Sequence, residues 1–139
     1  MEENMTGGCL CGAVEFSIQN EFKFLLFCHC EQCRRISGSA HASNLFSETN
    51  SLTWLKGEEN IQHFDFPGRD FPKVFCKTCG CGLPFRSKNL DLDIVPAGSL
   101  HSEPSYLRQA KVFLAECPDW VRTGSETKHF EGYPDFFHD

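Results

Sequence analysis

Cys28-His29-Cys30-Glu31-Gln32-Cys33 packs three thiols into six residues, followed at once by Arg34-Arg35. A Cys-x-Cys-x-x-Cys run is dense enough for one metal ion to hold all three sulfurs. Three protein ligands leave a tetrahedral zinc with one open position, and an open position is where substrate chemistry occurs. Three thiolates against a doubly charged ion make the site net negative, so it activates water weakly. It suits a soft fourth ligand better, and a thiolate from outside is the best one available. Zinc binding lowers a thiol's pKa and generates nucleophilic sulfur near neutral pH. The reaction implied is addition of that sulfur to an electrophilic carbon, such as an aldehyde, or cleavage of the adduct. Glu31, His29 and His41 are the side chains near the run that can move protons.

Eight of the nine cysteines fall in three clusters, Cys9/Cys11, Cys28/Cys30/Cys33 and Cys76/Cys79/Cys81. Cys76-Lys77-Thr78-Cys79-Gly80 has the form of a zinc knuckle, in which a tight turn aims two sulfurs at one ion and a glycine relieves the backbone behind it. A knuckle needs two more ligands. Cys9 and Cys11 are the natural pair, giving a closed four-cysteine site of the structural kind. Closing a loop of that size costs roughly 3–4 kcal/mol by the logarithmic loop rule. Structural zinc in finger peptides is worth about 10–16 kcal/mol, so the metal term dominates. The middle run then has its own three sulfurs, with His29, His41, Cys81, a water or a substrate thiol open as the fourth ligand. A second closed structural site, completed by Cys81 or a histidine, is the alternative. His29 is sandwiched between two ligands, which disfavours its reaching the same ion. Cys117 stands alone before Pro118 and reads as a small buried hydrophobe.

These sulfurs need a scaffold. The 139-residue chain fits one domain, 1–139, large enough to bury a core. Hydrophobic residues make up 40% and charged residues 23%, ordinary for a soluble globular protein, and fourteen Phe can supply core mass. A formal charge of −6 argues against general affinity for nucleic acid or a membrane surface. The acidic start Met1-Glu2-Glu3-Asn4 is unlike a signal peptide, and no apolar run reaches spanning length. The expected location is cytoplasmic, where thiols stay reduced and clustered cysteines read as metal ligands. The odd count of nine also argues against a full set of disulfides. Nothing in the sequence fixes the oligomeric state.

Met1 to Thr6 reads as a loose start, and the glycines of Gly7-Gly8-Cys9-Leu10-Cys11-Gly12 as backbone freedom for turning two sulfurs toward one ion. Alternation predicts strands at Ala13–Ile18, Ser51–Leu55 and Ile61–Phe66. Phe24–Phe27 is a short buried strand that delivers Cys28. One or two helical turns follow over Glu31–Ile36, ended by Ser37-Gly38-Ser39, and His41–Phe46 is extended. Phe71–Phe75 leads into the knuckle. Leu83–Arg86 and Leu90–Val95 read as strands, the latter with Leu90, Leu92 and Ile94 on one face. Ser105–Gln109 reads as a short helix, Ala110–Leu114 as the last strand, and Pro118-Asp119-Trp120 as the start of another turn. Thr123 to Asp139 has no clear period. About eight short strands with frequent turns make the class all-β.

Three motifs carry a family resemblance: Gly8-Cys9-Leu10-Cys11-Gly12, Cys28-His29-Cys30-Glu31-Gln32-Cys33-Arg34 and Phe75-Cys76-Lys77-Thr78-Cys79-Gly80. In order and spacing the chain resembles the glutathione-dependent formaldehyde-activating enzyme family, which includes the centromere protein V group. Ser37-Gly38-Ser39, Ala97-Gly98-Ser99-Leu100 and the Pro118/Trp120 region also fit, so the resemblance covers roughly residues 8 to 121. It implies a β-tent fold, a structural zinc on Cys9, Cys11, Cys76 and Cys79, and a catalytic zinc on Cys28, Cys30 and Cys33. The reaction implied is carbon–sulfur lyase chemistry, joining glutathione as co-substrate to formaldehyde as S-hydroxymethylglutathione. Arg34, Arg35, Lys73 and Arg86 are the side chains offered to glutathione's carboxylates. The chain departs from the family's pattern at Lys73 (often Arg), Cys81 (usually Ser or Thr), His101 (commonly acidic) and Lys111-Val112 (commonly a His-Ile-type pair). The rival functions are a non-catalytic zinc module that presents a surface to a protein partner, and a metal or sulfur sensor that exchanges Cys81 as a ligand.

Overall fold

Short strands of two to seven residues are the main regular structure in a computed structural model that describes residues 3–138. In chain order the main elements are β1 (Asn4–Gly8), β2 (Glu15–Gln19), β3 (Phe22–Cys28), α1 (Glu31–Ser37), β4 (Ala42–Ser47), β5 (Thr53–Lys56) and β6 (Ile61–Phe64). There follow β7 (Lys73–Cys76), β8 (Phe85–Arg86), β9 (Asp93–Pro96), β10 (Tyr106–Val112) and α2 (Asp119–Arg122). They form three sheets: β1-β2-β5, β10-β3-β4-β9-β8, and the hairpin β6-β7. Pairing is antiparallel except between β10 and β3, which run parallel.

Strand β2 buries Phe16 and Ile18 and leaves the residues between them half-buried, the period-two pattern that β-structure requires. These two join Met5, Phe22, Leu25, Leu45 and Val95 in one apolar cluster where the three-stranded and five-stranded sheets meet. A second cluster of Val14, Val74 and Leu83 packs around Cys9 and Cys76. Trp54 touches both clusters, its ring meeting Phe16 edge to face at 6.0 Å. Phe16, Phe22 and Phe46 supply the core mass expected of phenylalanine. Phe64, Phe113, Phe130 and Phe136 do not, each remaining more than half exposed.

The all-β expectation holds, with ten strands among the described residues rather than about eight. The loose start is a strand: Asn4 through Gly8 pair in full register with Gln19 back to Glu15, and Met5 is buried. Met1 and Glu2 lie outside the described residues. The reason for Gly7 is space rather than freedom, because a Cβ there would stand 2.6 Å from the Ser99 carbonyl oxygen. Ser105–Gln109 is not helical. Tyr106–Val112 forms the edge strand β10, whose exposure along its length erases the alternation that would have revealed it. Leu90–Val95 is a strand only from Asp93, and Leu90 is exposed. Asp93 itself is buried, held by Arg86 at 3.1 Å, so a charged side chain lies inside at a position that the alternation set on the face opposite Leu92 and Ile94. Past Thr123 the chain has 3₁₀ turns at Thr123–Glu126 and Asp135–His138, and Asp139 lies outside the described residues.

Gly57 combines a left-handed φ of 80° with close approach to the loop that carries the first two cysteines: a Cβ there would collide with the Ala13 carbonyl. Gly57→Ala is expected to destabilise the fold by about 2–3 kcal/mol in urea titration. Gly124→Ala, where a Cβ meets nothing within 4 Å, should change stability by less than about 1 kcal/mol.

Candidate metal centres and the cavity beside them

Cys9 and Cys11 sit in the loop that joins β1 to β2, and Cys76 and Cys79 in the turn that ends β7. The four sulfurs lie within 4.8 Å of one another. Cys9 and Cys11 Sγ are 3.6 Å apart, and Cys11 and Cys76 Sγ 3.8 Å. A tetrahedron with zinc–sulfur bonds of about 2.3 Å has sulfur–sulfur edges of roughly 3.8 Å, so the donor set and its spacing fit zinc. The local backbone makes this geometry. Gly12 takes a φ of 79° as its N–H closes onto the Cys9 carbonyl, and Gly80 takes 77° as its N–H closes onto the Cys76 carbonyl. Amide donors point inward at the sulfurs, from Val14 N–H to Cys9 at 3.3 Å and from Asn60 Nδ2 to Cys76 at 3.3 Å.

The thiols titrate unequally without a metal. Backbone N–H groups of Cys81 and Cys11 hold Cys79 down at about 6, and those of Cys79 and Thr78 lower Cys76. The Ala13 backbone also pulls Cys11 down, but burial and the neighbouring thiols outweigh it and push Cys11 up to about 12. The knuckle half is therefore the readily ionised half.

Cys28, Cys30 and Cys33 form the second group, again with sulfurs within 4.8 Å of one another. Cys28 ends β3, flanked in register by Ala42 of β4 and Val112 of β10. Cys30 is the N-cap of α1, its sulfur accepting from Cys33 N–H at 3.4 Å. Glu31 lies in the helix's first turn and Arg34 and Arg35 in its last, matching the helix dipole, and Gly38 closes the helix in the left-handed conformation. Burial raises Cys28 and Cys33 above the usual thiol range, with Cys28 and Cys30 adding to the rise at Cys33. Among the described residues no histidine, carboxylate or fourth cysteine joins this group.

That separates the open alternatives for a protein fourth ligand. His29 is buried, its ring Nδ1 3.2 Å from the Phe27 carbonyl oxygen. His41 stacks near His29 at 5.0 Å and has Nδ1 3.2 Å from Ser43 Oγ. Cys81 belongs to neither group: its sulfur accepts from Leu10 N–H at 3.4 Å, on the four-cysteine side. Cys117 is buried and apart.

Cys33 opens onto a cavity of about 250 Å³. Its walls come from α1, β4, the segment 71–74 and residues from Leu83 to Gly98, with His41 and Lys73 among them. Gln32 ties α1 over it, donating to the Phe71 carbonyl at 2.8 Å and accepting from Arg69 at 3.1 Å. The four basic side chains offered to glutathione do not converge on one site, although Arg35 and Lys73 share one outer groove. Lys73 lines the cavity, and burial lowers its amine below the usual lysine range. Arg34 and Arg35 border a shallow cleft with Ser39 and Trp120 on the outer side of α1. Arg86 is engaged by Asp91 and Asp93 and faces a different cleft, with Trp54 and His63. Glu31 pairs with Arg35 at 3.7 Å on the helix exterior. Sequence reasoning missed Phe71, Leu83 and Phe85 as cavity walls. They come from segments far apart in the chain and carry no local signal.

The model of the family described as glutathione-dependent formaldehyde-activating enzyme matches residues 4–116, beginning with β1 and ending before Pro118 and Trp120. In fold, the chain is similar to the crystal structure of a Rhodobacter sphaeroides protein solved as a structural-genomics target. That likeness has a TM-score of 0.57 and 24% identity, over 76% of this chain and 99% of that one. With both cysteine groups inside the matched span, the chain belongs to the glutathione-dependent formaldehyde-activating enzyme family.

Proposed function

We propose that the protein is a zinc-dependent carbon–sulfur lyase that makes or breaks a thiol–aldehyde adduct, with glutathione as the thiol. One observation carries this reading: the three-cysteine group has no fourth protein ligand among the described residues, and one of its members, Cys33, lines a cavity. The four-cysteine group supports it by contrast, since its ligand set is already complete. Cys9, Cys11, Cys76 and Cys79 hold a structural zinc, and Cys28, Cys30 and Cys33 hold the catalytic one. The catalytic zinc, when bound, supplies a soft electrophilic centre that keeps an incoming thiol ionised near neutral pH.

The chain's own residues do the rest. In adduct formation the sulfur bonds to the carbonyl carbon, the C=O π pair moves to oxygen, and the thiol's proton ends on that oxygen, with no oxidant or reductant. His41 is the proton carrier among the three side chains near the cysteine run, because it lines the cavity while His29 is buried against Phe27 and Glu31 is paired outside. Ser43 engages its Nδ1, leaving Nε2 to take and return the proton. Arg34 and Arg35, beside the outer cleft, are offered to glutathione's carboxylates. The reaction needs reduced thiols and so a reducing compartment, which agrees with a cytoplasmic setting.

Cobalt substituted into the chain reads the ligand set directly. Saturating glutathione is expected to strengthen the sulfur-to-cobalt charge-transfer band, and an unchanged spectrum would overturn the lyase reading. The zinc-loaded chain should hold two zinc ions by atomic absorption, falling to one in Cys30→Ser.

Burial holds His41 below its ordinary value, and the charges of His29 and Lys111 push the same way, against a smaller opposing contribution from the Ala42 backbone. The proton-accepting neutral form therefore persists below pH 6.5, and activity should fall only as pH drops through that depressed value. His41→Asn is expected to remove this acid limb from the kcat/KM profile and to slow turnover by about 100-fold.

A further inference from the structure

The cavity at Cys33 is far larger than a one-carbon aldehyde needs. Its volume is about 250 Å³, whereas an engineered apolar cavity of about 150 Å³ already binds benzene. Most of its wall is hydrocarbon from Ile36, Phe71, Val74, Leu83, Phe85 and Pro96. Water gains little in such a space, and a compact apolar group fills it well.

One charge stands in that wall. Among the described residues, no carboxylate lies in ion-pair range of Lys73, and the Cys81 thiol is the group whose charge acts on its amine. Gly82 makes room for it, since a Cβ there would stand 3.0 Å from Lys73 Nζ and 3.7 Å from Pro96 Cγ. Lys73 and Ile36 also line an outer groove with Arg35, Phe64, Phe66 and Phe75, so Lys73 belongs both to the cavity and to an aromatic groove that carries a second cation. A half-buried cation with no carboxylate beside it among the described residues, and a thiol as its electrostatic neighbour, favours an anionic ligand group.

We infer that the cavity takes the aldehyde half of the adduct, and that this half is an apolar aldehyde carrying one anionic group, held by Lys73, rather than a one-carbon aldehyde. The inference rests on the lyase reading of the Cys28, Cys30 and Cys33 site. It divides the substrate between two places: the thiol's carboxylates go to the outer cleft at Arg34 and Arg35, and the aldehyde's body goes inside. Glutathione itself fits the cavity poorly, because its two carboxylates and ammonium would meet one cation and an apolar wall.

The test begins with an unreactive probe, 4-ethylbenzoate, titrated into the zinc-loaded chain by calorimetry without glutathione. Saturable one-to-one binding is expected. It should weaken about tenfold in Lys73→Met and about tenfold for the neutral analogue 4-ethylbenzyl alcohol. Asn44→Phe, which fills the cavity from β4, should abolish it. Absence of saturable binding, or binding that neither Lys73→Met nor the neutral analogue weakens, would overturn the inference. The second arm compares 4-formylbenzoate with formaldehyde in the presence of glutathione, and 4-formylbenzoate should have the higher kcat/KM by about tenfold or more. Probe binding with no reaction of either aldehyde would support the cavity assignment and overturn the lyase reading. Reaction of formaldehyde with no probe binding would do the reverse.

Discussion

Four sulfurs from two distant parts of the chain must meet within 4.8 Å, and the rest of the architecture answers to that requirement. Left as thiolates without a cation they would repel strongly, so some must hold protons in the metal-free chain. The division is uneven because the backbone is uneven. N–H donors converge on Cys76 and Cys79 and lower them, while burial and neighbouring thiols outweigh the Ala13 donor at Cys11 and raise it. A metal bound there would replace those protons and tie the β1–β2 loop to the end of β7. The roughly 3–4 kcal/mol of loop-closure entropy is small beside the about 10–16 kcal/mol available from structural zinc.

Strand β7 transmits that anchorage to the second site. Val74 and Cys76 are buried on one face, within the cluster that surrounds the four sulfurs. Lys73 and Phe75 alternate with them and line the outer groove, and Lys73 and Val74 also line the cavity. A four-residue strand rises about 10 Å from end to end, so Cys76 of the four-cysteine group and the cavity's cation Lys73 are held on one short piece. On the opposite wall, β3 delivers Cys28 and α1 delivers Cys33. Their positions are fixed by β4 and β10 on either side of β3 and by the Gln32 bridge to Phe71.

The two cysteine groups were legible in the sequence because metal chemistry restricts both residue type and spacing. Cys9, Cys11, Cys76 and Cys79 could be paired by counting, and the structure gathers that set. The helix after Cys30 was legible too, with its end at Ser37-Gly38-Ser39, where Gly38 takes the left-handed conformation. The cavity was not legible: a wall made of Phe71, Leu83, Phe85 and Pro96 has no periodicity, since each residue reaches it from a different segment. Strands β1 and β10 were hidden for a related reason. Met5 is buried between exposed neighbours in too short a run to read, and β10 exposes nearly every residue while pairing on one edge alone. At Leu90 and Leu92 the alternation was real but misleading: the strand begins only at Asp93, whose buried carboxylate is held by the exposed Arg86.

The two cysteine groups use the same donor atom, so their difference must come from their surroundings. Around Cys9 and Cys76 the protein is filled: Val14, Val74 and Leu83 have almost no exposed surface, and four sulfurs complete a tetrahedron. Around Cys28, Cys30 and Cys33 the donor count stops at three among the described residues, and the adjoining volume is left unfilled. A missing ligand alone is compatible with a damaged structural site, and an empty volume alone is compatible with loose packing. Their coincidence at Cys33 is harder to reconcile with either, because void volume in a core costs stability unless something occupies it. A bound substrate that completes the coordination and fills the cavity accounts for both features together. That coincidence favours a catalytic role for the three-cysteine group over a purely structural one.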